Sequence, residues 1–172
     1  MSIAIGGILL TVGIPSFRQL ITDNRIVTQT NDFVSALAHA RAEAVRRNTR
    51  VTICRSNTST SSSPSCVPSS NWTDGWIVFT DPGGFGTLAV GETILRVHSA
   101  MPTGMTLLDN GGFENGVDSL QFLPSGLVSG VTGGAPASAG TFTLCVSGYK
   151  GRTINFNVIG RVNITAMALN CT

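Results

Sequence analysis

Little of this 172-residue chain is charged: 12% of its residues, with 11 Lys and Arg against 9 Asp and Glu. The net charge of +2 lies too near neutral to indicate a polyanion partner by itself. Lysine occurs once, at Lys150, and histidine twice, at His39 and His98. There is no GxSxG elbow, HExxH, P-loop or GxGxxG, which removes the usual hydrolase, zincin and nucleotide-binding signatures. Neither histidine has a cysteine or serine nucleophile spaced with it, so both read as packed or surface residues and no catalytic residue is expected. The cysteines form no CxxC pair and have no histidines near them, so neither a metal nor a cofactor is expected. Asp81-Pro-Gly-Gly-Phe-Gly86 followed by Glu92 has the outline of a calcium loop. Gly and Phe hold the positions that should carry Asp or Asn, however, and a plain turn is the better reading.

Charge is also unevenly placed. From Met1 to Phe17 (MSIAIGGILLTVGIPSF) there is none, and after Asp118 no acidic residue follows, although Lys150, Arg152 and Arg161 do. The apolar opening is shorter than the ~20 residues of a bilayer span. It is not a cleavable signal either, since no basic region precedes it and no small-residue cleavage site follows. Met1-Ser2 reads as a start set against an apolar run already under way.

From Arg18 the pattern turns amphipathic. The spacing predicts one helix over residues 1–50, apolar in 1–17 and amphipathic in 18–50. Such a helix spans roughly 70 Å, about twice the diameter of a small domain, so its apolar end must be buried in a membrane or among similar helices. Pro15 is expected to kink or loosen it. One stripe runs through Phe17, Leu20, Asn24, Val27, Asn31, Val34, Ala38, Arg41 and Val45. A neighbouring stripe of Ile26, Phe33, Leu37, Ala40 and Ala44 widens the apolar face toward the C-terminal half, which is expected to pack on a sheet. Arg46, Arg47, Arg50 and Arg55 read as a solvated cap favoured by the helix dipole.

The remainder, residues 51–172, is strand and turn. Alternation and turn residues predict strands over 50–55, 76–79, 94–98, 105–108, 120–123, 141–145 and 153–158, with a low-complexity Ser/Thr loop at 56–71. One helix followed by seven or eight short strands gives an α+β fold, the helix laid across an antiparallel two-sheet domain. The even number of cysteines in a Ser/Thr/Gly-rich chain points to an oxidising compartment and two disulfides. Three pairings are open. Cys54–Cys66 and Cys145–Cys171 are preferred because each closes a modest loop, worth about 3 and about 3.5 kcal/mol on chain entropy. Four buried free thiols are the alternative.

With these elements in place, the chain resembles the FimT/FimU-type minor pilins and the GspH-like pseudopilins. The resemblance runs over essentially the whole sequence: I-L-L-T-V-G-I-P-S-F (8–17), N-D-F-V-S-A-L-A-H-A-R-A-E-A-V-R-R (31–47), R-V-T-I-C (50–54), W-T-D-G-W-I-V-F-T-D (72–81), I-L-R-V-H (94–98), F-L-P-S-G (122–126), G-T-F-T-L-C (140–145) and G-R-T-I-N-F-N-V-I-G-R-V (151–162). It implies a pilin helix on a β domain and a non-catalytic minor pilin that assembles or primes the tip of a type IV pilus. It also implies partners, namely other minor and major pilins met through the N-terminal helix, with the inner membrane before assembly. The expected location is the inner membrane with a periplasmic domain, then the surface pilus of a Gram-negative bacterium.

The family's Gly-Phe-Thr-Leu-Ile-Glu start is not in this sequence, so by the resemblance this form is neither processed nor assembled. Two other roles follow from the same resemblance. One is a type II secretion pseudopilin, against which the cysteines weigh. The other is a pilus-associated DNA receptor with a Gly-Arg-x-Arg motif, here Gly160-Arg161-Val162-Asn163, asparagine replacing the second arginine. Lys150, Arg152 and Arg161 are the candidate DNA-binding residues, their glycines bending the backbone to present the arginines.

Overall fold

The computed structural model describes residues 2–109, 118–130 and 139–171, with side chains from Ser16 onward. Helix α1 runs Ser2–Arg47 as one unbroken element of 46 residues. The bend expected at Pro15 falls among side chains outside the described residues; the backbone is helical on both sides of it. The helix stops at Asn48, which takes a left-handed φ of 51°, while Thr49 N–H donates back to the Ala44 carbonyl at 3.2 Å. Asparagine is among the few residues that tolerate this conformation, and it serves here as the helix stop.

Nine strands follow in the described residues: β1 (Val51–Arg55), β2 (Trp76–Thr80), β3 (Ile94–His98), β4 (Met105–Asp109), β5 (Ser119–Phe122), β6 (Val128–Gly130), β7 (Ala139–Val146), β8 (Lys150–Asn157) and β9 (Val162–Asn170). They form two antiparallel sheets, ordered β3-β2-β1-β5-β6 and β4-β7-β8-β9. The chain is α+β, with the helix packed against both sheets. β6 and β9 have no counterpart among the expected strands. β9 buries neither face, so its sequence carries no alternation to read.

The buried stripe of α1 is Ile26, Thr30, Phe33, Leu37, Ala40 and Ala44, stepping by four and three, with Ala36 beside it. Asn24 and Asn31 weaken the other stripe, so partial burial near residues 18–31 is the expectation from sequence, and none of that stripe's side chains is buried there. The longer one, through Phe17, Leu20, Val27 and Val45, faces solvent, and its Asn24, Asn31 and Arg41 show why: a face with polar groups at alternate turns desolvates poorly. The stripe that packs instead carries alanines, whose small side chains bring the helix axis close to the sheets. Phe33 is its anchor, edge-on to Trp72, Trp76 and Phe142 with ring centroids 5.6, 5.2 and 4.9 Å away.

A second, smaller cluster lies on the far face of the first sheet, where Cys54, Ile77 and Phe79 pack with Cys66, Leu88 and Ile94. The Cys54–Cys66 bridge, Cα atoms 5.6 Å apart, holds the Ser/Thr-rich loop across that face. The Cys145–Cys171 bridge, Cα atoms 5.8 Å apart, ties the end of β7 to the residue after β9.

Candidate docking and cation surfaces

Along α1 no side chain from Ser16 to Arg25 is buried, although the backbone continues as helix back to Ser2. Phe17 and Leu20 are 64% and 56% exposed. Between Ser16 and Arg25 the helix thus presents apolar side chains that its own domain leaves uncovered. Among the described residues no helix is long and apolar enough to cross a membrane.

Lys150, Arg152 and Arg161 do not form one patch. Lys150 opens β8, whereas Arg161 sits beyond its far end, where Asn157 N–H donates to the Arg161 carbonyl at 3.2 Å. The length of β8 separates them by roughly 23 Å. Lys150 and Arg152 line a cavity of about 540 Å³ whose opposite wall is the helix at Gln19, Asp23 and Ile26. An acidic residue on that wall competes with any phosphate for these cations.

The two Gly-Arg pairs also differ in kind, which corrects the reading of both as turns. Gly151-Arg152 lies within β8; a Cβ at Gly151 would come to 2.5 Å from the Leu144 carbonyl oxygen and 2.8 Å from both Cys145 Sγ and Cys171 Sγ. Glycine is needed there because the disulfide crosses directly over the strand. Gly160-Arg161 is a turn, with Gly160 at φ +71°.

Arg161 has different company from that expected. It shares a groove of about 870 Å³ with Arg41 and Arg46 of the helix, over a floor that includes Val34, Ala38, Val45, Ile159 and Val162. Arg41 is held in place, its Nε–H donating to the Gly126 carbonyl at 3.0 Å in the β5–β6 turn. A Cβ at Gly160 would approach Arg41 Cδ and Nε to 2.9 Å, so this glycine admits the arginine between two turns. Among the described residues neither Arg41 nor Arg161 has an acidic partner. Sequence reasoning missed Arg41, because a lone arginine in a mixed stripe gives no signal until the turns close on it.

The four arginines clustered at the helix end each have a partner, and Arg46, Arg47 and Arg50 remain exposed to solvent. Arg46 donates twice to Glu43, at 3.0 and 2.6 Å, and Arg47 donates to the same carboxylate. The hydrogen bonds from Arg46, then those from Arg47, hold the Glu43 carboxyl down to about 2 and push Arg46 upward. Arg55 pairs with Asp118 and donates to the Pro68 carbonyl, and Arg50 donates to the Pro82 carbonyl at 3.4 Å. His98 stacks on Trp76 with centroids 3.9 Å apart, its Nε2 3.8 Å from Asp32; His39 is half-buried on the helix.

Asp81, fully buried, organises the loop that resembled a calcium site. Its carboxylate accepts from the backbone N–H groups of Gly84, Phe85 and Gly86 at 2.7, 3.0 and 2.9 Å. Thr52 Oγ1 and Gln121 Nε2 donate to it at 2.8 and 3.0 Å. These protein donors occupy the carboxylate that a cation would use. Among the described residues no group of three or more His, Cys, Asp or Glu could hold a metal ion.

A family model for the type II transport protein GspH matches residues 29–160. Two crystal structures of the type IV minor pilin FimU of Pseudomonas aeruginosa PAO1 share the fold. The P21 form has a TM-score of 0.60 at 20% identity, covering 87% of this chain and 97% of that one. The P65 form has a TM-score of 0.54 at 21% identity, covering 80% and 94%. No curated protein matches the chain.

Proposed function

Because the chain belongs to the GspH family of type II transport proteins, we propose that it is a minor pilin, a non-catalytic subunit acting in the assembly or tip priming of a type IV pilus. The observation that carries this reading is the helix. It is 46 residues long, yet its own domain buries side chains only from Ile26 onward among those described. Docking the uncovered apolar face against neighbouring helices would stabilise an assembly by ~1.5–3 kcal/mol for each large side chain removed from water. In this reading the partners are other pilins, met through α1, with the inner membrane holding the subunit beforehand and Pro15 as the point where the helix yields. The two disulfides fit a domain exposed to an oxidising envelope compartment.

A secretion pseudopilin would use the same helix and is separated by phenotype. Deleting the gene should abolish or strongly reduce surface pili and twitching while leaving secretion of folded exoproteins intact. Unchanged piliation would refute the pilus role, and lost secretion with normal pili would transfer the protein to the secretion machinery.

DNA binding is the weaker reading. Arg161 and Arg41 favour it as neighbouring cations without an acidic partner among the described residues, whereas Lys150 and Arg152 share their cavity with Asp23. Any contact would go to phosphates and fall steeply with salt. A gel shift comparing wild type with Arg161→Ala and Arg152→Ala checks it: equal retention by all three, or none by the wild type at low salt, removes DNA from the account.

A further inference from the structure

The β2–β3 loop offers a rigid knob. Asp81 fixes the backbone of residues 84–86 through three N–H bonds. The large side chain carried by this fixed backbone, Phe85, is nevertheless 75% exposed, and its ring lies back over Gly83, where a Cβ would collide with it. Val90 in the same loop is fully exposed. Glu92 ties one carboxylate oxygen to Ala89 N–H at 2.8 Å and has no cationic partner among the described residues. An aromatic residue held in solvent on a preorganised loop has the character of a docking anchor, because little ordering entropy remains to be lost on binding.

The groove beside α1 is its complement in apolar character and in charge. It has an apolar floor, a volume of about 870 Å³ and, at its sides, the guanidinium groups of Arg41 and Arg161, neither with an acidic partner among the described residues. It is an open groove, with Val45 and Ile159 of its lining about half exposed, so a projecting side chain can reach its floor from solvent. Knob and groove lie toward opposite edges of the sheet β3-β2-β1-β5-β6: the loop joins β2 to β3, and Gly126 at the groove belongs to the β5–β6 turn. Both stand at the end where α1 finishes, since Arg50 bonds Pro82 and Arg41 bonds Gly126.

We propose that the Phe85 loop of one molecule docks into the α1/β8–β9-turn groove of a second copy of this chain, with Phe85 and Val90 on the apolar floor and Glu92 facing Arg41 and Arg161. The contact is heterologous, so each copy keeps one free knob and one free groove, and the array extends until a rotation closes it. This deepens the pilin reading without depending on it, since a pilin can assemble through its helix alone.

Sedimentation velocity of the full chain, at low protein-to-micelle ratio in detergent that shields the apolar helix, tests the contact. Wild type should show a concentration-dependent ladder beyond the dimer. Phe85→Ser removes the knob and Arg161→Glu spoils the groove; each alone should weaken self-association roughly tenfold to a hundredfold. Both residues are exposed, so neither change threatens folding. An equal mixture of the two variants should restore a dimer and stop there, because only one knob and one groove remain usable. A ladder untouched by either substitution, a mixture no more associated than its parts, or a monomeric wild type would each overturn the proposal. A monomeric wild type from a strain that loses pili on deletion removes this contact and leaves the pilin role; a working ladder with normal piliation does the reverse.

Discussion

Phe33 lies where the helix, the 3₁₀ turn at Trp72–Asp74, β2 and β7 meet, and its ring touches an aromatic residue from each of the last three. Phe33→Ala should therefore cost about 3–5 kcal/mol in urea unfolding, the range for an aromatic residue deleted from a packed core; a loss under ~1 kcal/mol would mean that these rings do not hold the helix down. Glu43 gives a prediction in pH. Its carboxyl is held at about 2, below its ordinary 4.5, by Arg46 and Arg47. A depressed carboxylate contributes stability that is fully present above 4.5 and is lost as pH falls toward 2. A carboxyl-carbon NMR titration should place the Glu43 midpoint near 2, and a midpoint near 4.5 would show that the arginines do not pair with it. Residue roles were unevenly legible in the sequence. The aromatic and alanine positions of the buried stripe carry a spacing signal, whereas Asp81 reads as an ordinary turn acid and Gly151 as a turn glycine that presents Arg152. Each acquires its role only from groups brought in by distant strands: Thr52 and Gln121 for Asp81, the Cys145–Cys171 bridge for Gly151.

Elements with a repeating pattern were readable and those without one were not. The helix shows its 3.6-residue period over many turns, and the strand runs around Ile53, Val78 and Leu144 are dense in β-branched and aromatic residues. β9 reads Val162-Asn-Ile-Thr-Ala-Met-Ala-Leu-Asn170, exposed on both faces, and nothing in that composition distinguishes strand from loop. Its outer edge is unpaired, since β8 is its one strand neighbour in the described sheet. At the C-terminal end the Cys145–Cys171 bridge holds it, together with the backbone hydrogen bonds that Cys171 makes with Tyr149 and Gly148. Replacing both cysteines by serine should speed amide hydrogen exchange across residues 162–171 while leaving β1 and β2 protected, because termini without a tie fray. Uniform loss of protection throughout the domain would show that the bridge supports the whole core.

The whole molecule combines a β domain, whose core includes the C-terminal part of α1, with a helix that outruns that core. The domain buries the C-terminal stripe of α1, and the face through Phe17, Leu20 and Val27 remains for something else to cover. The sequence shows a helix too long for its domain, but it does not show which stripe is spent on the fold and which is left free, because that depends on the placement of both sheets. In the proposed function the free stripe is an assembly surface within a filament. A photoreactive amino acid placed at Leu20, in the chain expressed from its own locus, tests this most directly. Irradiated cells should yield crosslinks from Leu20 to other pilin subunits, recovered in the filaments sheared from the cell surface. Recovery of the chain solely as an uncrosslinked periplasmic monomer, absent from sheared filaments, would contradict it.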